Sequence, residues 1–388
     1  MIRDIVIAGL VALMALVWLV QRTEQSGPDV VGVSATALLN AAPDVFRRVT
    51  GPEPLSFPAD HGLHPGYRNE WWYFTGNLAD DAGHRYGFQF TLFRFAVEPG
   101  ERPDSDFAAD AVWMAHLAVS DIEAGRFLSR ERFARGALGL AGATADQWWL
   151  RDWTVERTGD GWRLRAQTAQ VALDLKLEPE KPVVLQGDSG YSRKGPEPGN
   201  ASRYYSITRL RTDGRIELDG RTTEVSGLAW LDREWGSSQL GEGIAGWDWF
   251  ALQFDDGRDL MLYRLRTEEG TASRFSAGVL VQPDGSYRVL GRDDFRFDAL
   301  RRWRDRLGVE WPVAWRVRLD SEEQDSEVLD VEVRPAFDAQ RWYATVDYWE
   351  GAVEVIDSAS RQSLGRGYLE LSGYAGAQTE ARRGIRVQ

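Results

Sequence analysis

The stretch His61–Leu78 (HGLHPGYRNEWWYFTGNL) places the strongest constraint on the fold, because its large aromatic residues alternate as they do in a β-strand. One face of the extended segment holds Trp72, Phe74 and Leu78, and the other holds Trp71, Tyr73, Thr75 and Asn77. An acidic, glycine-containing turn follows at 80–83, and the alternation resumes at Tyr86, Phe88, Phe90 and Leu92. A period of two on both sides of a turn predicts an aromatic β-hairpin.

The same hairpin recurs later in the chain. Aligning Trp71 with Trp247 also aligns Phe74 with Phe250 and Leu78 with Phe254. The acidic turns then coincide, and Phe93-Arg94 meets Tyr263-Arg264 after a short deletion at the turn. An internal repeat of this kind indicates two copies of one domain or one pseudo-symmetric fold.

Further short alternating segments, separated by Gly, Asp or Pro, fill the rest of the chain. This spacing is typical of an antiparallel barrel or sandwich. The 388 residues are enough for two domains of ~150–180 residues each. The sequence therefore predicts an all-β protein with two tandem barrels, at 58–202 and 203–388, each with room for one small ligand. The polar stretch 187–202 is either the linker between them or a long loop over a barrel mouth.

Composition excludes several classes of function. The formal charge of -13 without a basic cluster argues against nucleic acid and anionic membrane surfaces as partners. The absence of cysteine excludes thiolate catalysis and cysteine-based metal sites. The four histidines lack the close spacing of a metal motif, and no G-x-S-x-G elbow, P-loop or dinucleotide fingerprint is present. We therefore expect no metal site and no cofactor.

The N-terminus carries an apolar segment, Ile5–Val20, of sixteen apolar or glycine residues preceded by Arg3. This length lies between that of a signal-peptide core and that of a full membrane span. Its last residues, Val17-Trp18-Leu19-Val20, offer no small-x-small cleavage site. We predict an uncleaved signal anchor helix within 1–26 and a tether at 27–57, with a cleaved signal peptide as the alternative. The body would then lie outside the cytoplasm, on the periplasmic side.

The densest charged patch between apolar strands is Asp232-Arg233-Glu234-Trp235, and it is the best candidate for a catalytic site. Carboxyl groups beside tryptophans favour perturbed pKa values, which are typical of active sites. The alternative is a salt-bridge cluster between domains.

Other residues are candidates for ligand contacts, and each has a structural alternative. Trp72, Trp247 and Trp249 either line a cavity or pack in a barrel core. Glu70 is either a buried acid or the partner of Arg68 or another arginine. His64 precedes a proline turn and either serves the site or stabilises the turn. His116 lies in an apolar strand and is predicted to be a hydrogen-bonded structural residue.

Several motifs together resemble the AttH-like family: HPGYRNEWWYFTGNL, AHLAVSD, WLDREWGSSQL, GWDWFALQFDDG and the terminal YWEG…GYLELSGY. The resemblance covers roughly residues 58–375. This lipocalin-like group also includes carotenoid 1,2-hydratases and predicted secreted hydrolases. The resemblance implies two lipocalin-like (calycin) barrels and an extracytoplasmic setting, and family association alone implies an envelope ABC transporter as a partner.

The carotenoid 1,2-hydratases add water to a terminal isoprenoid double bond without a redox cofactor. Their His-x-Trp and Tyr-x-Asp pairs fall here on Arg233-Glu234-Trp235 and Tyr263-Arg264-Leu265. Trp235 and Tyr263 are retained, whereas arginine and leucine replace the histidine and the acid. Leucine cannot donate a proton, so that mechanism requires a substitute acid, for which Asp232, Glu234 and Asp248 are the candidates.

The leading hypothesis is therefore a membrane-tethered, extracytoplasmic, lipocalin-like protein that binds or transfers a lipophilic molecule such as a lipid or isoprenoid. The competing hypothesis is a cofactor-independent hydratase or a hydrolase that acts on such a molecule. A third is a scaffold that assists an envelope exporter.

Overall fold

The computed structural model describes residues 45–100, 105–237, 240–319 and 329–375, and these are mainly β-strand. Short 3-10 helices occur at Ala59–His61 and Arg292–Asp294. Within the described ranges, no helix has the length and apolarity needed to cross a membrane. The predicted anchor helix over Ile5–Val20 lies outside the described residues.

The first sheet contains thirteen antiparallel strands. They are β1 (Asn69–Ala79), β2 (Arg85–Ala96), β3 (Ala111–Asp121), β4 (Arg126–Arg135), β5 (Ala141–Ala143), β6 (Gln147–Leu150), β7 (Trp153–Thr158), β8 (Gly161–Gln167), β9 (Val171–Pro179), β10 (Val184–Leu185), β11 (Tyr191–Arg193), β12 (Ala201–Leu218) and β13 (Arg221–Gly236). Their main order is β4-β3-β2-β1-β13-β12-β9-β8-β7-β6-β5, and β10 and β11 pair with β12. The sheet curls into a near-complete barrel around one aromatic core.

The second sheet contains nine antiparallel strands. They are β14 (Ile244–Phe254), β15 (Asp259–Thr267), β16 (Ala277–Val281), β17 (Tyr287–Leu290), β18 (Phe295–Arg304), β19 (Glu310–Leu319), β20 (Leu329–Pro335), β21 (Tyr348–Asp357) and β22 (Ser363–Ser372). Their order is β17-β16-β15-β14-β22-β21-β20-β19-β18. This sheet forms a half-barrel, so the lipocalin-like, all-β fold is confirmed, although neither sheet closes fully.

The two aromatic hairpins occupy equivalent places in the two sheets. β1 pairs with its hairpin partner β2 and with β13, the last strand of the first sheet. β14 pairs with β15 and with β22, the last strand of the second sheet. The repeat in the sequence therefore corresponds to a repeat in topology.

The last strand of the first sheet ends at Gly236, and the first strand of the second sheet begins at Ile244. The polar stretch 187–202 contains β11 and leads into β12, and both strands belong to the first sheet. The domain limits 58–202 and 203–388 stay predictions. The described end of the predicted tether packs on the first sheet, where Val49 is buried beside Tyr67 and Trp235.

Side chains fill the interiors of both sheets. The first core is built on Trp72, Trp148 and Trp162, and the second on Trp315 and Trp349, all of them buried. A third apolar cluster lies between the sheets and includes residues of β1, β13, β14 and β15. We expected a ligand cavity inside each barrel, but the apolar pocket that the sheets share lies between them.

A candidate ligand pocket between the two sheets

A cavity of about 140 Å³ lies between the outer faces of the two sheets. Both copies of the aromatic hairpin contribute to its wall, with Trp71, Tyr73 and Phe93 from the first sheet and Trp247, Trp249, Tyr263 and Leu265 from the second. Its polar lining groups include Gln89, Thr91, Lys194, Tyr204, Asp232, Glu234, Tyr348, Glu350 and Glu370. The pocket therefore combines a mainly aromatic wall with an unusual concentration of carboxyl groups.

The pleat of β13 divides the predicted catalytic patch between two environments. Asp232 and Glu234 line the pocket. Arg233 and Trp235, which alternate with them, turn toward the other side of the sheet. β1 divides in the same way, because Trp71 and Tyr73 line the pocket whereas Trp72 belongs to the first core.

Asp232 is held by three hydrogen-bond donors. Tyr204 Oη donates to Oδ2 at 2.5 Å, while Ser206 Oγ and Trp230 Nε1 donate to Oδ1 at 2.5 and 2.7 Å. Burial raises the pKa of Asp232 to about 6, against these hydrogen bonds, and the nearby Glu234 carboxylate adds to the rise. Asp232 therefore changes its protonation state near physiological pH.

A second acidic group comes from neighbouring strands. Glu350 of β21 lies opposite Glu370 of β22 in the register of the sheet. Tyr73 Oη donates a hydrogen bond to Glu350, and Trp247 Nε1 donates to Glu370 Oε1 at 2.7 Å. Burial, reinforced by the charge of Glu370, raises the pKa of Glu350 well above its ordinary value, and burial also raises that of Glu370. Two buried carboxyl groups that interact in this way titrate as a pair, and losing both protons is disfavoured.

Lys194 brings a positive charge to the pocket wall. Its ammonium group donates to Glu234 and lies 5.3 Å from the ring centre of Tyr204 and 5.5 Å from that of Tyr263. Tyr263 Oη is 3.2 Å from Ser192 Oγ. Leu265 lines the same pocket, so no acid occupies the position of the hydratase aspartate.

The remaining predicted site residues form a separate buried network outside the pocket. Arg233 donates to Glu70 and to the carbonyl oxygen of Gly62, and its guanidinium lies 3.9 Å from the ring centre of Trp72. His64 stacks on Trp235 with a centroid distance of 3.8 Å. Glu70 is fully buried, yet Arg233, His64 and Arg94 outweigh that burial and lower its pKa to about 2. Glu70 thus pairs with Arg233 rather than with Arg68, as the alternative of a structural ion pair predicted.

The AttH-like family profile matches residues 48–374 of the sequence. The chain belongs to the AttH-like family. An AttH protein from Nitrosomonas europaea, known from a crystal structure, is 36% identical in sequence to this chain and superposes with a TM-score of 0.76. The match covers 85% of this chain and 100% of that one.

More distant structures share the fold of this AttH-like protein. Kievitone hydratase from Nectria haematococca is 12% identical with a TM-score of 0.61, over 84% of this chain and 98% of that one. CghA is 14% identical with a TM-score of 0.52, over 86% of this chain and 97% of that one. A comparison with curated proteins gives no match.

Sequence reasoning did not name several residues of this AttH-like pocket as site residues. Glu350 and Glu370 are single acids within apolar strands, and their position in the sheet register makes them neighbours. Tyr348 enters the sequence analysis only within the family motif YWEG, yet it lines the pocket. The available signal was a charged residue in each of two otherwise apolar strand segments, YWEGAV and GYLELS.

Proposed function

We propose that this AttH-like protein binds a lipophilic molecule, of the lipid or isoprenoid class, in the pocket between its two sheets. The observation that carries this proposal is an aromatic wall that encloses buried carboxyl groups, among them the neighbouring Glu350 and Glu370, whose pKa values burial raises. A neutral carboxyl group donates a hydrogen bond to a hydroxyl or carbonyl oxygen and avoids most of the desolvation cost of an ion. An apolar molecule with one such oxygen therefore matches the chemistry of the pocket.

The size of the cavity restricts the part of the ligand that it encloses. An apolar cavity of about 150 Å³ accommodates a benzene ring, and this cavity measures about 140 Å³. It therefore holds one ring or a short branched chain. Trp71, Phe93 and Trp247 are only partly buried, so a longer ligand leaves the pocket beside them.

The proposed setting is extracytoplasmic. In this proposal, Ile5–Val20 tethers the protein to the cytoplasmic membrane, and secretion after signal cleavage is the alternative. A tethered binding protein would receive or deliver its ligand close to the membrane, where an envelope ABC transporter is a candidate partner. Fractionation of cells that express the full chain tests the setting: recovery in the cytosol would contradict it.

Acid–base catalysis of the hydratase type is the second candidate function, and the raised pKa values of Asp232 and Glu350 favour it. A protonated carboxyl group can transfer its proton to an alkene carbon, and aromatic faces stabilise the resulting cation. Water then adds to the cation and releases a proton, so the net reaction is the addition of one water. In this mechanism, Asp232 or Glu350 supplies the proton that Leu265 cannot.

Geranylacetone distinguishes between the two functions, because this isoprenoid ketone carries both a carbonyl oxygen and the double bond of a terminal isoprene unit. Isothermal titration calorimetry measures binding, and mass spectrometry measures the gain of one water. Binding without turnover supports carriage. Turnover that disappears in Glu350→Gln and Asp232→Asn, while binding remains, supports catalysis.

Native mass spectrometry of the protein as purified supplies an independent test. An unmodified lipophile released by solvent extraction supports the proposed binding function. Absence of any bound lipophile, together with no binding of geranylacetone, would contradict both functions.

A further inference from the structure

A hydrogen-bonded chain connects the pocket to a carboxylate on its far side. Tyr348, which lines the pocket, bonds through its hydroxyl group to Nδ1 of His116. The Nε2 atom of His116 lies 2.9 Å from Glu131 Oε2. Glu131 Oε1 in turn accepts a hydrogen bond of 2.8 Å from Thr345 Oγ1. The chain crosses from the first sheet to the second, since His116 is on β3 and Tyr348 on β21.

The hydrogen bonds indicate which atom of each group in this chain carries the proton. Burial raises the pKa of Glu131, but its bonds with His116 and Thr345 outweigh that effect, so the net shift is downward and Glu131 is a carboxylate. A carboxylate accepts, and His116 therefore carries its proton on Nε2. The lone pair of Nδ1 then accepts the hydroxyl proton of Tyr348. This is the order of groups that activates a hydroxyl in a nucleophile–histidine–carboxylate triad.

Packing holds the imidazole in this orientation. His116 is fully buried, and its ring lies 4.6 Å from that of Trp342 and 5.2 Å from that of Phe93, measured between centroids. The other titratable groups near Tyr348 are Glu350 on its own strand and Glu370 and Tyr368 on β22. Burial and the charges of these carboxyl groups raise the pKa of Tyr348 well above its ordinary value, so its hydroxyl keeps its proton unless His116 accepts it.

We propose that Tyr348 Oη is the base of the pocket, and that His116 and Glu131 are positioning residues that accept and stabilise its proton. This inference deepens the proposed acid–base function, because it places a proton acceptor in the same pocket as the acids Glu350 and Glu370. In a hydration, water would lose its proton to Tyr348 Oη as its oxygen bonds to the cation, and the original phenol proton would pass to His116 Nδ1. The acid supplies one proton to carbon and the relay receives one, so the charges balance.

Benzenesulfonyl fluoride tests the relay without requiring the natural substrate. Its single ring suits the cavity, and attack by a tyrosine oxygen forms an S–O bond and expels fluoride, while the phenol proton passes to the base. Peptide mass spectrometry measures labelling of each tyrosine with time. Tyr263 is the matched control, since it lines the same pocket but bonds to Ser192 rather than to a histidine.

We expect Tyr348 to be labelled at least about tenfold faster than Tyr263, since a positioned base contributes roughly 10²–10⁴-fold to such steps. Glu131→Gln keeps an acceptor for His116 but removes the charge, and we expect it to slow labelling of Tyr348 by about tenfold or more and to change its pH profile. Tyr348→Phe should abolish the label. Labelling of Tyr263 should stay constant in both variants.

Equal labelling of the two tyrosines, or an unchanged rate in Glu131→Gln, would overturn the relay if geranylacetone still binds. Failure of the wild-type protein to bind geranylacetone is a different result, because it contradicts the proposed binding function. The two failures are therefore distinguishable.

Discussion

Asp232 lies in a pocket whose apolar surroundings oppose ionisation, although three donors favour its charged form. Burial is the larger effect, and it raises the pKa from 3.8 to about 6. Glu70 shows the opposite balance at a similar depth, because an arginine contacts it directly and its pKa falls to about 2. The nearest partner of each buried acid therefore indicates its role. Asp232, held by neutral hydrogen-bond donors, has a pKa suited to proton transfer, whereas Glu70, paired with an arginine, supports the fold.

Asp232 makes the stability of the protein depend on pH in a specific direction. Because its pKa is higher in the folded state, the folded state binds more protons between about pH 4 and 6, and stability falls as pH rises through this window. Asp232→Asn removes this loss. We expect the free energy of unfolding of the variant, relative to wild type, to rise by about 3 kcal/mol between pH 3.5 and 7.5, since each pKa unit is worth about 1.4 kcal/mol. Urea denaturation at both pH values measures it, and a constant difference would contradict the shift.

At the scale of single elements, alternation predicted the strands well but not what each face contacts. The hairpins at β1–β2 and β14–β15 follow directly from the aromatic period of two. Both faces of β1 are buried, one in the first core and one against the second sheet, and apolar alternation alone does not identify which neighbour covers each face. For this reason the sequence predicted a pocket inside each barrel, whereas the pocket described above lies between the sheets. Similarly, Leu300, Trp303 and Leu307 have the spacing of one helix face, yet the first two lie on an edge strand, β18.

The pleat of β13 predicts different consequences for adjacent substitutions. Arg233→Met removes the closest cationic partner of the buried Glu70 and leaves only His64 and the more distant Arg94 beside it. Breaking a buried ion pair in this way costs about 3–5 kcal/mol. Glu234→Gln changes the pocket but leaves that network intact. We expect Arg233→Met to lower stability in urea denaturation and to retain geranylacetone binding at temperatures where it is folded.

Glu234→Gln should alter the affinity for geranylacetone, and it should lower stability as well because it breaks the buried pair with Lys194. The double variant Glu70→Gln/Arg233→Met serves as the control, because it removes both charges and should recover much of the lost stability. Equal effects of the two single substitutions on binding would show that the pleat does not separate the two environments.

At the scale of the whole molecule, the site depends on how closely the two sheets approach. Gly87 of β2 faces Ala352 of β21, and a Cβ atom added to Gly87 would lie 2.8 Å from the Cβ of Ala352. Polar contacts fix the same approach, including the bond from Asn77 Nδ2 to the carbonyl oxygen of Gly367 at 3.0 Å. Such contacts join residues far apart in sequence, so the position of the pocket was not predictable from local patterns.

Gly87→Ala should therefore strain the contact between the sheets. We expect a loss of about 1–3 kcal/mol in the free energy of unfolding, typical of overpacking, and weaker binding of geranylacetone. Ala352→Gly removes the opposing methyl group and should restore part of both properties in the double variant. Additive losses in the double variant would indicate that the two positions do not meet.

The most direct test of the central claim is the affinity for geranylacetone after the pocket is filled. Leu265→Trp adds volume to the pocket wall, whereas Leu300→Trp places the same side chain at a position that is 48% exposed on the edge strand β18. We predict that calorimetry finds wild-type affinity in Leu300→Trp and an affinity at least about tenfold weaker in Leu265→Trp, a loss of about 1.4 kcal/mol. Equal affinity in the two folded variants would contradict a binding site between the sheets.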